Sequence, residues 1–194
     1  ASTLSSINLY TESLSRRIRK EPGKLEEYLT KLKDLTHNAQ NTMEEVVWSL
    51  TPRHDSVRDL TNRITDAASE LCFDNELICG IETMESENDY PVDETNRKNI
   101  YLIFKESMNN ILKHSKAAEV AIRVGIKENY FILEISDNGK GFDPSIQREK
   151  TRGGNGLDNM KKRAKHINAE FLIIPEPGNG VKIIFKKEMT QMSY

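Results

Sequence analysis

The sequence predicts an α+β chain. A long helical hairpin fills residues 1–51, and residues 52–194 form a mixed sheet with helices on one face. Three observations carry this reading. Apolar side chains recur every three or four residues through the first fifty. After Thr51-Pro52 the pattern changes to short β-branched runs. Those runs are linked by turn residues and interleaved with helical stretches.

Leu4, Ile7, Leu14 and Ile18 mark a helical stripe through Ser2–Lys20, and Glu21-Pro22-Gly23 ends it. Leu25, Leu29, Leu32, Leu35, Ala39, Met43, Val46 and Leu50 form a second stripe. One hairpin cannot bury both stripes on every side. Two copies would make a four-helix bundle, so the hairpin is expected to form a homodimer. Thr51-Pro52 reads as a hinge. Then follow a helix over Val57–Phe73, a strand over Leu77–Met84 and an acidic loop over Glu85–Asp93. A long helix over Glu94–Ser115 leads to strands Val120–Ile126 and Tyr130–Ile135 around a Lys127-Glu128-Asn129 turn. Gly139–Gly156 reads as loop and Leu157–Ile167 as helix. Strands Glu170–Ile174 and Val181–Lys186 close the chain, separated by Pro175–Gly180.

Bulk properties bound the function. At 194 residues the chain buries a core without disulfide staples. A net charge of −2 gives no electrostatic footprint for nucleic acid or an anionic membrane. No apolar run approaches the roughly 20 residues that span a bilayer. Cys72 and Cys79 lie in apolar surroundings and read as reduced core residues, with no Cys/His cluster for zinc. Ala1 opens on what looks like the middle of a helix, so the chain is expected to be part of something longer.

Three stretches carry chemistry. On the helix Ile100–Ser115, with Glu106 at zero, Asn110 falls at about 40°, Lys113 at about −20° and Asn109 at about −60°. Phe104, Ile111 and Leu112 fall opposite. One face thus holds a carboxylate, two amides and an ammonium, with His114 at its border. Such a face suits a hard cation on phosphates, or is simply a solvated helix face. Next, Ile135-Ser136-Asp137-Asn138-Gly139-Lys140-Gly141-Phe142 delivers an aspartate at a strand end, followed by glycines. Asp137 could accept a hydrogen bond from a buried amino group such as adenine's, or the stretch is a plain turn. Third, Gly153-Gly154-Asn155-Gly156-Leu157 leads into a helix whose first-turn N–H groups suit phosphate. Lys161, Lys162 and Arg163 add positive charge there. Between the last two stretches, Asp143–Arg152 is a candidate lid.

In this order the motifs resemble the GHKL ATPase superfamily. Glu106, Asn110, Lys113 and His114 match its asparagine box, ExxxNxxKH. DNGKGF resembles its first glycine box, and GGNGLxNM the second. Within the superfamily the chain resembles two-component sensor histidine kinases that pair with LuxR-type response regulators. Val47-Trp48-Ser49-Leu50-Thr51-Pro52 resembles their hinge. The resemblance covers essentially the whole chain and implies a dimerisation hairpin followed by a Bergerat-type α/β sandwich. It implies Mg²⁺-ATP as ligand, with Asn110 on the metal and Glu106 assisting at the metal or phosphoryl-transfer centre. Lys113 and His114 would lie near the phosphates. Asp137 would read the adenine amine, in a pocket shaped by Gly139, Gly141 and Phe142. Gly153, Gly154, Gly156 and Leu157 would meet the phosphates below the lid. A histidine would take the γ-phosphoryl for relay to the aspartate of a response-regulator receiver domain. The implied location is the cytoplasmic portion of a membrane-bound sensor.

Two features depart from the family's pattern. Gly180-Val181 stands where Gly-Thr is common, removing a hydroxyl that supports the adenine-reading aspartate through water; either adenine recognition is weaker or backbone groups substitute. No His-Asp acceptor motif occurs in the first hairpin helix; His37, His54, His114 and His166 lie elsewhere. The expectation is a kinase core that binds ATP without labelling itself at the usual site. The alternatives are another ATPase of the superfamily, with Glu106 activating water, or a non-enzymatic module of the anti-sigma type.

Overall fold

The structure, a computed structural model, describes residues 36, 43, 56–86, 90–143 and 156–190. The hairpin expected over residues 1–51 (Thr36 and Met43 apart), the hinge and residues 144–155 of the glycine-rich stretch lie outside the described residues. The chain divides into two units, Ala1–Pro52 and Arg53–Tyr194. The second unit contains every element below.

Helix α1 (Val57–Asp74) starts where Ser56 turns extended and its Oγ accepts from the Asp59 amide at 3.2 Å. Its buried stripe is Val57, Leu60, Thr61, Ile64, Ala68 and Cys72. Strand β1 (Ile78–Met84) follows, and then helix α2 (Glu94–Asn110), capped by the Asp93 carboxylate on the Asn96 amide at 2.8 Å. Strands β2 (Glu119–Lys127) and β3 (Tyr130–Asp137) form a hairpin. Its two-residue loop, Glu128-Asn129, has φ of 51° and 66°, the left-handed pair whose twist matches the flanking strands. Helix α3 (Gly156–His166) precedes the final hairpin of β4 (Glu170–Glu176) and β5 (Gly180–Glu188).

The sheet runs β1-β2-β3-β5-β4. Only β1 and β2 are parallel, joined by the α2 crossover; the other pairs are antiparallel. Val120, Ile122 and Val124 of β2, Phe131, Leu133 and Ile135 of β3, and Ile183 and Phe185 of β5 are buried on one face. The three helices supply the facing layer through Leu60, Ile64, Ile100, Ile103, Phe104, Met108 and Met160, all completely buried. Each such side chain contributes about 1.5–3 kcal/mol relative to exposure. The Phe131 and Phe185 rings meet edge to face at 6.3 Å. The opposite sheet face carries cross-strand ion pairs, Arg123 to Glu82 at 3.0 Å and Lys182 to Glu134 at 3.2 Å. The mixed sheet with helices on one face is the α+β arrangement that the sequence predicts.

The elements expected from Val57 onward are all found, with three boundaries that differ for physical reasons. Strand β3 extends two residues past Ile135 and takes in Asp137, which pairs with Val120. Strand β4 runs through Pro175 and Glu176, placed by the sequence in the connecting loop. Proline is tolerated because β4 is the sheet edge. The helix predicted to Ser115 is α-helical only to Asn110, and Ile111–Ser115 is a π turn ending at Lys116 with φ 58°. A π turn winds more residues per turn than the α-helix, so the wheel angle for Lys113 does not carry through it.

Candidate functional site

The expected division of α2 into two faces holds. Phe104 and Ile111 are buried as expected, and Met108 with them, while Glu106, Asn109 and Asn110 are half-exposed; Leu112, placed on the core face by the wheel, is half-exposed on the π turn. Lys113 and His114 are exposed on the π turn. Two contacts fix α3 against α2. Ser107 Oγ donates to the Ile103 carbonyl at 2.7 Å and meets Met160 Sδ at 3.4 Å. Arg163 donates to Asn99 Oδ1 at 3.4 Å.

This packing brings the first residue of α3 onto the polar face of α2. A Cβ built on Gly156 would lie 2.1 Å from Glu106 Oε1 and 3.7 Å from Asn110 Nδ2. Residues 50 apart in sequence thus converge: a carboxylate, a carboxamide and the N-terminus of an eleven-residue helix. Asn110 Nδ2 is buried and has no hydrogen-bond partner among the described residues. Because the two ends of a carboxamide are assigned rather than seen, either a donor or an acceptor stands uncommitted there. Buried polar atoms are nearly always paired, so an unsatisfied one marks a place for a ligand. The donor set fits a hard cation held jointly with phosphate oxygens.

Asp137 lies at the end of β3 with 8% exposure. Burial pushes its carboxyl above the ordinary aspartate range, opposed by hydrogen bonds from the Gly139 and Val181 amides. The Gly139 bond is 2.9 Å to Oδ1. The departure at Gly180-Val181 therefore has a structural counterpart: a backbone amide, which any residue offers, supports the aspartate.

The glycines of this loop are fitted to backbone. A Cβ on Gly139 would stand 2.3 Å from the Ser115 carbonyl oxygen, and one on Gly141 (φ 59°) 2.1 Å from that of Glu176. A Cβ on Gly180 (φ 89°) would stand 1.8 Å from the Asp137 carbonyl oxygen. Lys140 donates its amide to the Ser115 carbonyl at 2.8 Å, and its own carbonyl accepts from Gly178 at 2.8 Å. The loop is thus wedged between the π turn and the β4–β5 turn, with Phe142 half-exposed just beyond. Leu157 is half-exposed in the first turn of α3. Gly153 and Gly154 lie outside the described residues.

Sequence reasoning gave no role to Asn138, Gly180 or the Ser115 carbonyl. Asn138 and Gly180 were visible as turn residues beside an apolar strand; the carbonyl left no sequence signal.

A helix-backed mixed sheet that sets a carboxylate and a carboxamide against one helix N-terminus, with a buried aspartate and a tight glycine loop at a strand end, defines a class of nucleotide-binding ATPase domains. The chain belongs to the histidine kinase-, DNA gyrase B- and HSP90-like ATPase family, whose model matches residues 95–191. It is similar to the sensor protein VraS of Staphylococcus aureus, 28% identical over 167 residues, covering 86% of this chain and 46% of that protein. The VraS of Staphylococcus haemolyticus is 27% identical over the same length. The chain spans about half the length of these relatives. Among solved structures, the Acinetobacter baumannii histidine kinase AdeS shares the fold with a TM-score of 0.61 at 14% identity, covering 96% of this chain and 98% of that one. The histidine kinase domain of the blue-light activated kinase EL346 of Erythrobacter litoralis has a TM-score of 0.57 at 12% identity, covering 97% and 91%. Within its family, then, the chain resembles the sensor histidine kinases. Among the described residues no helix is long and apolar enough to cross a membrane.

Proposed function

We propose that residues 52–194 are the catalytic ATP-binding domain of a two-component sensor histidine kinase, a Bergerat-type sandwich. The domain transfers the ATP γ-phosphoryl to a histidine, for relay to an aspartate on a LuxR-type response regulator. Residues 1–51 are its dimerisation hairpin, and the domain acts at the cytoplasmic face of a membrane-bound sensor. The observation that carries this reading is the convergence of Glu106, Asn110 and Gly156 at the head of α3.

Each group has a task in that chemistry. Asp137 accepts a hydrogen bond from the adenine amine. Its burial makes this bond selective, because a base offering a carbonyl there would face an unpaired carboxylate. Gly139 and Gly141 hold the loop close to the base, and Phe142 walls it. Lys113 and His114 lie near the phosphates, which also meet the first turn of α3 through Gly153, Gly154, Gly156 and Leu157. Mg²⁺ would be held by Asn110, with Glu106 assisting, and would neutralise charge on the phosphates. Phosphoryl transfer needs mainly positioning and charge stabilisation. Asn110 orients the triphosphate, and Glu106 assists at the metal or the phosphoryl-transfer centre.

The test is direct. Calorimetry should show Mg²⁺-dependent ATP binding that Asn110→Ala weakens. ATP labelled at the γ-phosphate should leave no acid-labile label on this chain. An N-terminally extended chain carrying a His-Asp motif ahead of Ser2 should become labelled. Labelling of the chain alone, or ATP binding indifferent to Asn110, would refute the assignment.

A further inference from the structure

Between Asp137 and Gly139 stands a residue with no assigned task. Asn138 is exposed, yet its side-chain oxygen is engaged twice. Its Oδ1 accepts from the amides of Ala118 and Glu119, both at 3.0 Å. Its own amide donates to the Glu119 carbonyl at 3.2 Å. Val120–Asp137 is the last paired position of the β2–β3 ladder. Asn138 extends that ladder by one residue and caps the two amides that would otherwise open β2 to water.

The consequence reaches the site through its neighbours. Gly139 bonds back to the Asp137 carboxylate and packs on the Ser115 carbonyl, which also accepts from Lys140. Ser115 ends the π turn that carries Lys113 and His114. Ser115 Oγ donates to the Ile111 carbonyl at 2.8 Å and accepts from the Ala117 amide at 3.0 Å. The segment Ser115–Glu119 is thus fastened to the π turn at one end and to Asn138 at the other.

We propose that Asn138 is a positioning residue for nucleotide binding: its side-chain oxygen, shared by two amides of the segment leaving the π turn, sets the Asp137–Gly141 loop at its distance from Lys113 and His114. The inference rests on the nucleotide reading of this site. Without the clamp, the two freed amides are rehydrated at the surface, so the fold survives. The loop, however, samples positions in which the carboxylate of Asp137 no longer faces the base, and bound nucleotide must select among them.

The experiment compares Asn138→Ala, Asn138→Asp and a control, Asn75→Ala, in the full chain. Asn75 makes an equivalent side-chain bond to the Leu71 carbonyl at 2.8 Å, at the end of α1. In nucleotide-free protein, Asn138→Ala should speed hydrogen exchange at the Gly139 and Lys140 amides about tenfold, and Asn138→Asp, which keeps the acceptor, should restore protection. Asn138→Ala should also weaken ADP binding about fivefold, the weight of one net hydrogen bond. Asn75→Ala should lower the melting temperature similarly and leave both readouts unchanged. Unchanged exchange in Asn138→Ala, failure of Asn138→Asp to restore it, or faster exchange with undiminished affinity would each overturn the proposal. Failure of the unmodified chain to bind ADP would instead refute the nucleotide reading, and the exchange rates alone would then decide whether Asn138 holds the loop.

Discussion

Gly156→Ala separates a residue needed by the site from one needed by the fold. The methyl would lie 2.1 Å from Glu106 Oε1 and 3.1 Å from its Cδ, where ordinary contact begins near 3.4 Å. Glu106 must therefore retreat by 3.4 − 2.1 = 1.3 Å. The obstacle is the far end of a flexible side chain, so a rotamer change relieves it for about 0.5–1.5 kcal/mol. Replacing glycine in a helix returns about 0.5–1 kcal/mol through the unfolded state. The net change in unfolding free energy should stay within about 1 kcal/mol of zero. Function should not be spared, because the displaced carboxylate is the one that shares the head of α3 with Asn110. The gain that Mg²⁺ brings to ATP affinity should fall about tenfold, or 1.4 kcal/mol. Gly125→Ala is the contrast. Its methyl would meet the Met84 carbonyl oxygen at 2.0 Å with φ at 141°, and backbone cannot rotate away. That variant should lose about 3 kcal/mol or more of stability. Urea denaturation and calorimetry with and without Mg²⁺ read both quantities. If Gly156→Ala unfolds as Gly125→Ala does, or keeps the full Mg²⁺ dependence, the placement of Glu106 against α3 is wrong.

Two further expectations concern titration. Because burial raises the Asp137 carboxyl, its contribution to stability is present in acid and lost as pH rises through its folded-state value. The stability of Asp137→Asn minus that of the unmodified chain, measured in urea, should therefore be larger at about pH 7 than at about pH 4; the opposite sign would contradict a desolvated aspartate. The Cys72 thiol is pushed up to about 12, first by burial and then by its contact with Cys79. It should resist a thiol reagent at about pH 8 until the protein is unfolded; rapid modification of Cys72 in the native chain would rule this out. Its share of stability should likewise fade as pH climbs from the ordinary thiol range toward 12.

What the sequence revealed divides along the range of the interactions. Strands β2, β3 and β5 were legible because β-branched and aromatic residues alternate in them and turn residues bound them. The polar face of α2 was legible because side chains one turn apart share a face without any tertiary help. The π turn was not. Its winding is tied to the Ser115 carbonyl receiving Lys140 and crowding Gly139, and those residues belong to a loop some 25 positions on. Pro175 was read as a breaker because only the sheet order shows that β4 is an edge. At Val181 the sequence left two readings, a lost hydroxyl or support from the backbone, because it shows side chains and not amide directions. The bond to Asp137 comes from the backbone, which the substitution does not touch.

The glycines sharpen this point. Read as sequence, those of both motifs appeared alike, residues that let backbone approach a ligand. In the fold they do different work. Gly139, Gly141 and Gly180 each exclude a methyl from a carbonyl oxygen of the protein itself, at 2.3, 2.1 and 1.8 Å. They let three pieces of backbone close around Asp137, and their first duty is to the pocket wall. Gly156 alone of the four has a side chain as its nearest obstacle, and that side chain is Glu106. It keeps a carboxylate free to stand beside Asn110 at the head of α3. Close backbone contact therefore builds the Asp137 end of the site, whereas the Glu106 end is set by a side chain that can move. On the nucleotide reading proposed above, the first would fix the base while the second would serve phosphates that come and go.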